Sequence, residues 1–218
     1  MILQKVSNEG LVALYRFGIQ EARDTLSVRL FNIRYQLCRE ANEGFVQILD
    51  TWTLNEVFFR SYLFAEGAYQ FGKGAFRSFL LLILTREIAK ESSKVYKELT
   101  GASIFSLDED LDGGGTYHEI VYVPSANDNE AVAYANFADL VDTLAHLPDH
   151  LPKVCGPLVL CIAEGLLITE SAQTVGISAS YARKVIAAFR GMLIDAKLNG
   201  NFGNGLAVAE AVIDKIEE

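Results

Sequence analysis

A break in charge divides this chain. Residues 101–150 hold ten acidic side chains and no basic one, and through them runs Leu107-Asp108-Glu109-Asp110-Leu111-Asp112-Gly113-Gly114-Gly115. Like charges repel when brought onto one element, and three successive glycines offer no side chains to bury, so the run opposes both helix and packed strand. The flanks differ. Residues 1–100 carry thirteen bases against eleven acids, residues 151–198 five against three, and residues 199–218 one against four. The net charge of −9 therefore sits in a middle segment and a short tail, while two longer blocks are mildly basic. The pattern predicts two helical domains joined by an acidic, flexible linker. The divisions are 1–100, a Gly-rich linker over 101–135, a second domain over 136–198 and a C-terminal tail over 199–218.

Both blocks read as helical. Leu11, Leu14, Tyr15, Ala22, Leu26, Leu30 and Ile33 recur at three- and four-residue steps within 8–39, with Asn8 as N-cap and Gly18 separating two helices. Thr53 and Glu56 have capping-box spacing for a helix to about Glu66 whose face carries Val57, Phe58, Tyr62 and Phe64. Gly67, Gly72 and Gly74 mark a turn before the most apolar helix, through Phe76, Phe79, Leu80, Ile83, Leu84 and Ile88. Further helices are expected over 136–147, 158–163, 169–175 and 178–198, then a last amphipathic turn with Val208, Val212 and Ile216. Residues 104–107 and 119–123 are candidates for short extended pieces but do not make a sheet, so the expected fold class is all-α.

Composition removes several classes of function. Half of the residues are apolar and 22% are charged, as in an ordinary globular protein. The three cysteines, Cys38, Cys155 and Cys161, have no CxxC spacing, which fits reduced core thiols rather than a disulfide framework or a zinc site. His146 and His150 stand four apart, but Pro148 intervenes and no third ligand is placed to complete a metal site. Gly113-Gly114-Gly115 lacks the following Lys-Ser or Lys-Thr of a phosphate loop. The acids of the middle segment have no flanking core to hold the fixed separations that acid–base catalysis needs. No enzyme activity, catalytic residue, metal or cofactor is expected. The stretch from Phe76 to Ala89 is interrupted by Arg77, Arg86 and Glu87 and is too short to span a bilayer, and Met1 to Gly10 has no secretory pattern, so a cytoplasmic protein is expected.

Residues 169–190 have the spacing of a helix-turn-helix. Ala172 is small where two helices cross, Gly176 suits the left-handed end of the first, Ile177 plugs the turn, Ser178 caps the second, and Val185 and Ile186 seat it. Ser178, Ser180, Tyr181, Arg183, Lys184 and Arg190 are then the expected DNA-binding residues, being side chains that hydrogen-bond to phosphates and base edges. An ordinary helical hairpin satisfies the same spacing. A second basic feature lies on the continuation of the apolar helix, where Arg86, Lys90, Lys94 and Lys97 share one face beside Tyr96. Such a face is also what a merely solvated helix presents.

The order of these features resembles the bacterial RNA polymerase sigma factors of the sigma-70 family, in the short type with regions two and four only, such as stationary-phase, sporulation and extracytoplasmic-function sigma factors. Asn8-Glu9-Gly10-Leu11-Val12-Ala13-Leu14 with Gly18 and Ala22 is similar to the opening of region two. Gly72-Lys73-Gly74-Ala75-Phe76-Arg77-Ser78-Phe79 and Leu84-Thr85-Arg86-Glu87-Ile88 resemble its core-helix motif. Ser106-Leu107-Asp108-Glu109 resembles the start of the linker, and Leu151-Pro152, Glu164-Gly165-Leu166 and the helix-turn-helix resemble region four.

The resemblance implies a transcription initiation factor whose partners are core RNA polymerase, promoter DNA and an anti-sigma factor. It places Arg86, Lys90, Lys94 and Lys97 where the family engages and opens the −10 element, and the helix from Ser178 where it reads the −35 element. Leu54, Asn55 and Glu56 fall at the polymerase-clamp contact, in a stretch, Thr53-Leu54-Asn55-Glu56-Val57, that departs from the family's usual Asp, aliphatic, any residue, Gln, acid. Two other readings of the same features are a stand-alone dimeric helix-turn-helix regulator and a sigma-like interaction protein without promoter binding.

Overall fold

The computed structural model describes residues 2–100 and 128–214. Ten α-helices account for the regular structure, with one 3₁₀ turn at Ile2–Lys5 and no strand among the described residues. The helices are α1 (Asn8–Arg16), α2 (Gln20–Asn32), α3 (Arg34–Val46), α4 (Thr51–Ala68), α5 (Phe76–Thr100), α6 (Asp128–Ala145), α7 (Cys155–Ala163), α8 (Ile168–Val175), α9 (Ala179–Leu198) and α10 (Asn204–Asp214). The all-α expectation holds. The two expected extended pieces at 104–107 and 119–123, and the acidic run itself, lie outside the described residues.

Several helix boundaries differ from the sequence pattern, each for a local reason. The cap of α4 is Asp50, whose carboxylate accepts from the Thr53 backbone N–H at 2.8 Å and from Thr53 Oγ1 at 3.0 Å, so Thr53 lies inside the helix and donates to the cap. Helix α6 begins eight residues before the expected Asn136 because Ala131, Ala133 and Ala135 favour helix, a preference that the surrounding acids hide from a charge count. The final amphipathic turn is a three-turn helix, α10.

The described residues form two compact units that are not contiguous in sequence. One comprises residues 2–28, 71–73 and 128–214; the other comprises 29–70 and the residues from 74 to 100. The expected 1–100 block is thus divided between them, with the division falling inside α2.

In the first unit α7 is the hub, touching α1, α6, α8, α9 and α10. Its sequence, Cys155-Gly156-Pro157-Leu158-Val159-Leu160-Cys161-Ile162-Ala163, is apolar on every side, and a helix of that kind is stable only when enclosed. All of its residues from Cys155 to Ile162 are buried. The N-terminal segment is tied to this group by polar contacts as well: Glu164 accepts from Ser7 N–H at 2.7 Å and from Ser7 Oγ at 2.9 Å, and Lys5 Nζ lies 2.8 Å from Glu170 Oε1.

The second unit packs α3, α4 and α5 against one another. Phe76, Leu80, Leu84 and Ile88 recur every four residues on α5 and are fully buried, and Leu37 and Cys38 of α3 and Val57, Phe58 and Tyr62 of α4, the two helices packed against α5, are buried with them. Phe31 meets Phe58 edge-on at 5.0 Å and Tyr62 at 5.9 Å, a geometry that adds aromatic attraction to area burial. At the turn before α5, Tyr69 Oη donates to the Gly74 carbonyl at 2.6 Å and its ring packs on Phe76.

Candidate nucleic-acid interface

In the first turn of α8, Glu170 accepts from the Leu167 N–H at 3.1 Å and so satisfies one of the orphan donors at the start of that helix. Helix α8 ends at Gly176, whose φ of 76° and ψ of 30° lie in the left-handed region that costs a side-chain-bearing residue energy. The Ile177 N–H then bonds back to the Ala172 carbonyl at 2.9 Å, closing the turn. Ser178 caps α9 through its Oγ, which accepts from Tyr181 N–H at 3.2 Å. Ala172, Ala182, Val185, Ile186, Phe189 and Leu193 are buried, which fixes the rotation of α9 about its axis.

That rotation leaves Ser178, Ser180, Tyr181, Arg183 and Lys184 exposed together on the first two turns of α9. The positive end of the helix macrodipole lies in the same place, so the arrangement favours an anion. Arg190 is placed differently from the expectation. It is only partly exposed, and its Nη2 donates to the Ile213 carbonyl of α10 at 3.1 Å.

On α5, Arg86, Lys90, Lys94 and Lys97 are all exposed, and Tyr96 is beside them. The structure adds the acids that a list of bases omits. Glu91 receives Lys94 Nζ and Arg60 Nη2, each at 3.0 Å, and Glu87 lies 3.8 Å from Lys90. Burial pushes the Glu91 carboxyl up, but the hydrogen bonds from Lys94 and Arg60 outweigh it and hold it below the usual glutamate range. The face is thus a mixed network. Pairs such as these, whose Lys and Arg partners are solvent-exposed, contribute about 0–1 kcal/mol.

The expected contact residues Leu54, Asn55 and Glu56 separate by face. Leu54 is 6% exposed and belongs to the core, which corrects its assignment as a surface contact: its position on α4 lies opposite the exposed face. Asn55 is half-buried and its Oδ1 accepts from Arg34 Nε at 2.7 Å, while Glu56 is exposed. Around them the helix presents Trp52 at 72% exposure, Phe59 at 49% and Leu63 at 39%. Phe64, expected on the apolar face, is exposed as well. Trp52, Glu56, Phe59 and Leu63 follow at steps of four, three and four, so the signal was in the sequence, but a second apolar stripe on α4, through Val57, Phe58 and Tyr62, competes with it.

The three thiols are buried and burial pushes their pKa values up, to about 11 for Cys38, where the Arg34 charge offsets part of the effect, and to about 12 for Cys155 and Cys161. His146 and His150 are exposed, and no cluster of three metal-ligating side chains occurs among the described residues. None of the described helices is long and apolar enough to cross a membrane. Comparison with protein-family models, with curated proteins and with solved structures finds no match to this chain.

Proposed function

We propose that this chain is a transcription initiation factor of the sigma type, which binds core RNA polymerase and directs it to specific promoters. The observation that carries the reading is the α8–Gly176–α9 pair with Ser180, Tyr181, Arg183 and Lys184 exposed at the start of the second helix. In this reading α8 and α9 are a helix-turn-helix of a C-terminal domain. The first two turns of α9 enter the major groove of the −35 element, with Arg183 and Lys184 on phosphates or base edges and the Ser hydroxyls and Tyr181 completing the contacts.

The α3–α5 unit engages the −10 element. Lys90 and Lys94 exchange their glutamate partners for backbone phosphate, Arg86 and Lys97 extend the track, and Tyr96 offers a face on which an unstacked base rests. The polymerase-facing surface is the stripe Trp52, Asn55, Glu56, Phe59 and Leu63 of α4, an apolar centre with a polar flank of the kind found at stable protein interfaces. The acidic linker faces polymerase rather than DNA. Two weak DNA contacts suffice because polymerase presents both at high effective concentration. An anti-sigma factor is a further partner in this reading, and the site of action is the cytoplasm.

The test is promoter-directed transcription by the chain mixed with core polymerase, on templates randomised upstream of the start site. Arg183→Ala with Lys184→Ala is expected to lower initiation about tenfold or more at templates selected by the unmodified chain, since each lost contact is worth about 1–3 kcal/mol. Unchanged template choice would remove α9 from promoter reading.

One observation favours a second reading, the stand-alone dimeric regulator. Ile194 and Leu198, one turn apart at the far end of α9, are 58% and 80% exposed, a surface that a second copy could cover. A dimer that binds a palindromic duplex without polymerase, with steep salt dependence, would establish it.

A further inference from the structure

The second half of α9 is held by α10, and its cations are used there. Arg190 donates from Nη2 to the Ile213 carbonyl at 3.1 Å, in the last turn of α10, where the negative end of the helix dipole favours a cation. Lys197 pairs with Glu210 Oε1 at 2.5 Å, and its ammonium lies 4.8 Å from the centre of the Phe202 ring. Helix α10 is in turn fixed to α6. At Gly205 an added Cβ would stand 2.4 Å from the Asp139 carbonyl oxygen and 2.0 Å from Thr143 Oγ1, so the two backbones meet with no room for a side chain. Asn204 Nδ2 donates to Asp139 Oδ2 at 2.5 Å and to Asn136 Oδ1 at 3.3 Å, and Ala209 and Ile213 are buried one and two turns further on.

We propose that α10 is a brace for the reading helix, and that Arg190 is a positioning residue which sets the angle of α9 on DNA without touching the DNA itself. The inference rests on the promoter-reading role of α9. Residues 178–184 span about 10 Å at 1.5 Å per residue, short enough for one insertion into a major groove. The bases beyond them, Arg190 and Lys197, point their charge into α10. Sequence discrimination by α9 therefore depends on α10, while the electrostatic footprint of α9 itself on DNA comes from Arg183 and Lys184.

Salt dependence separates the two roles. A side chain on phosphate contributes close to one unit to the slope of log affinity against log salt, and a brace contributes nothing to it. The full chain is assembled with core polymerase, and retention of a promoter fragment is measured across salt, beside template choice from the randomised pool. Arg183→Ala is expected to reduce the slope by about one. Arg190→Met is expected to leave the slope unchanged while narrowing the preference between selected and unselected templates at least threefold, and Arg190→Lys, which can still donate to the Ile213 carbonyl, to recover most of that preference. Glu210→Gln provides a milder second variant at a partly exposed position, with the same signs expected. A slope reduced by about one in Arg190→Met, or an unaltered preference in both Arg190→Met and Glu210→Gln, overturns the brace alone. If the unmodified chain retains no fragment and starts no transcripts with polymerase, the parent reading falls and the brace with it.

Discussion

Replacing Leu54 by alanine removes a buried side chain from the α3–α5 unit and is expected to lower stability by about 2–4 kcal/mol in denaturant unfolding. Trp52→Ser, two positions away but exposed, is expected to change stability by less than about 0.5 kcal/mol while weakening retention by core polymerase. Equal loss of stability in both variants would refute the assignment of faces on α4. Acid sensitivity is set by single carboxylates as well. The hydrogen bonds from Arg77 hold Glu40 below the usual glutamate range, as Lys94 and Arg60 do for Glu91. A carboxylate with a lowered folded pKa contributes stability above its unfolded pKa, and that contribution disappears as pH falls through the folded value. Thermal stability should accordingly hold from neutral pH to the ordinary carboxylate range and fall below it, with a shallower fall in Glu40→Gln. An identical acid limb in that variant would contradict the pairing with Arg77.

Among the elements, α9 was the most legible in advance. Ser178 and Gly176 are residues whose chemistry fits one position each, a cap and a left-handed turn, and the structure puts both there. Gly176→Ala is expected to cost about 1–2 kcal/mol through backbone strain, measured by thermal unfolding; a loss under about 0.3 kcal/mol would mean that the turn relaxes. The start of α4 was legible only in kind, because Asp50, Thr51 and Thr53 all suit a cap and only the fold selects Asp50. Helix α5 shows what one-dimensional reading omits. Its bases stand out in sequence, but which glutamates share their face, and that Arg60 from another helix shares Glu91 with Lys94, are set by the fold. Lys90→Ala with Lys94→Ala is expected to slow open-complex formation at least tenfold in permanganate footprinting; an unchanged rate would take strand opening away from this helix.

At the scale of the whole molecule, local pattern fails where partners are distant in sequence. Ser7 and Glu164 are 157 positions apart, and neither residue type announces the other, so the grouping of residues 2–28 with the C-terminal helices could not be read from periodicity or charge. The same holds for Arg190, which has the identity and spacing of a DNA contact in the sequence and whose hydrogen bond to the Ile213 carbonyl, 23 positions away, only the fold reveals. What charge did convey was the division into an acidic middle and two mildly basic blocks, a property of composition that needs no tertiary information. The central claim, that the chain is a promoter-specificity subunit, is met most directly by mixing it with bacterial core RNA polymerase, isolating any complex and sequencing the transcripts that the complex starts. The account predicts a stable complex with discrete start sites that vanish when the chain is omitted. A chain that elutes apart from polymerase and leaves its transcripts unchanged would contradict it.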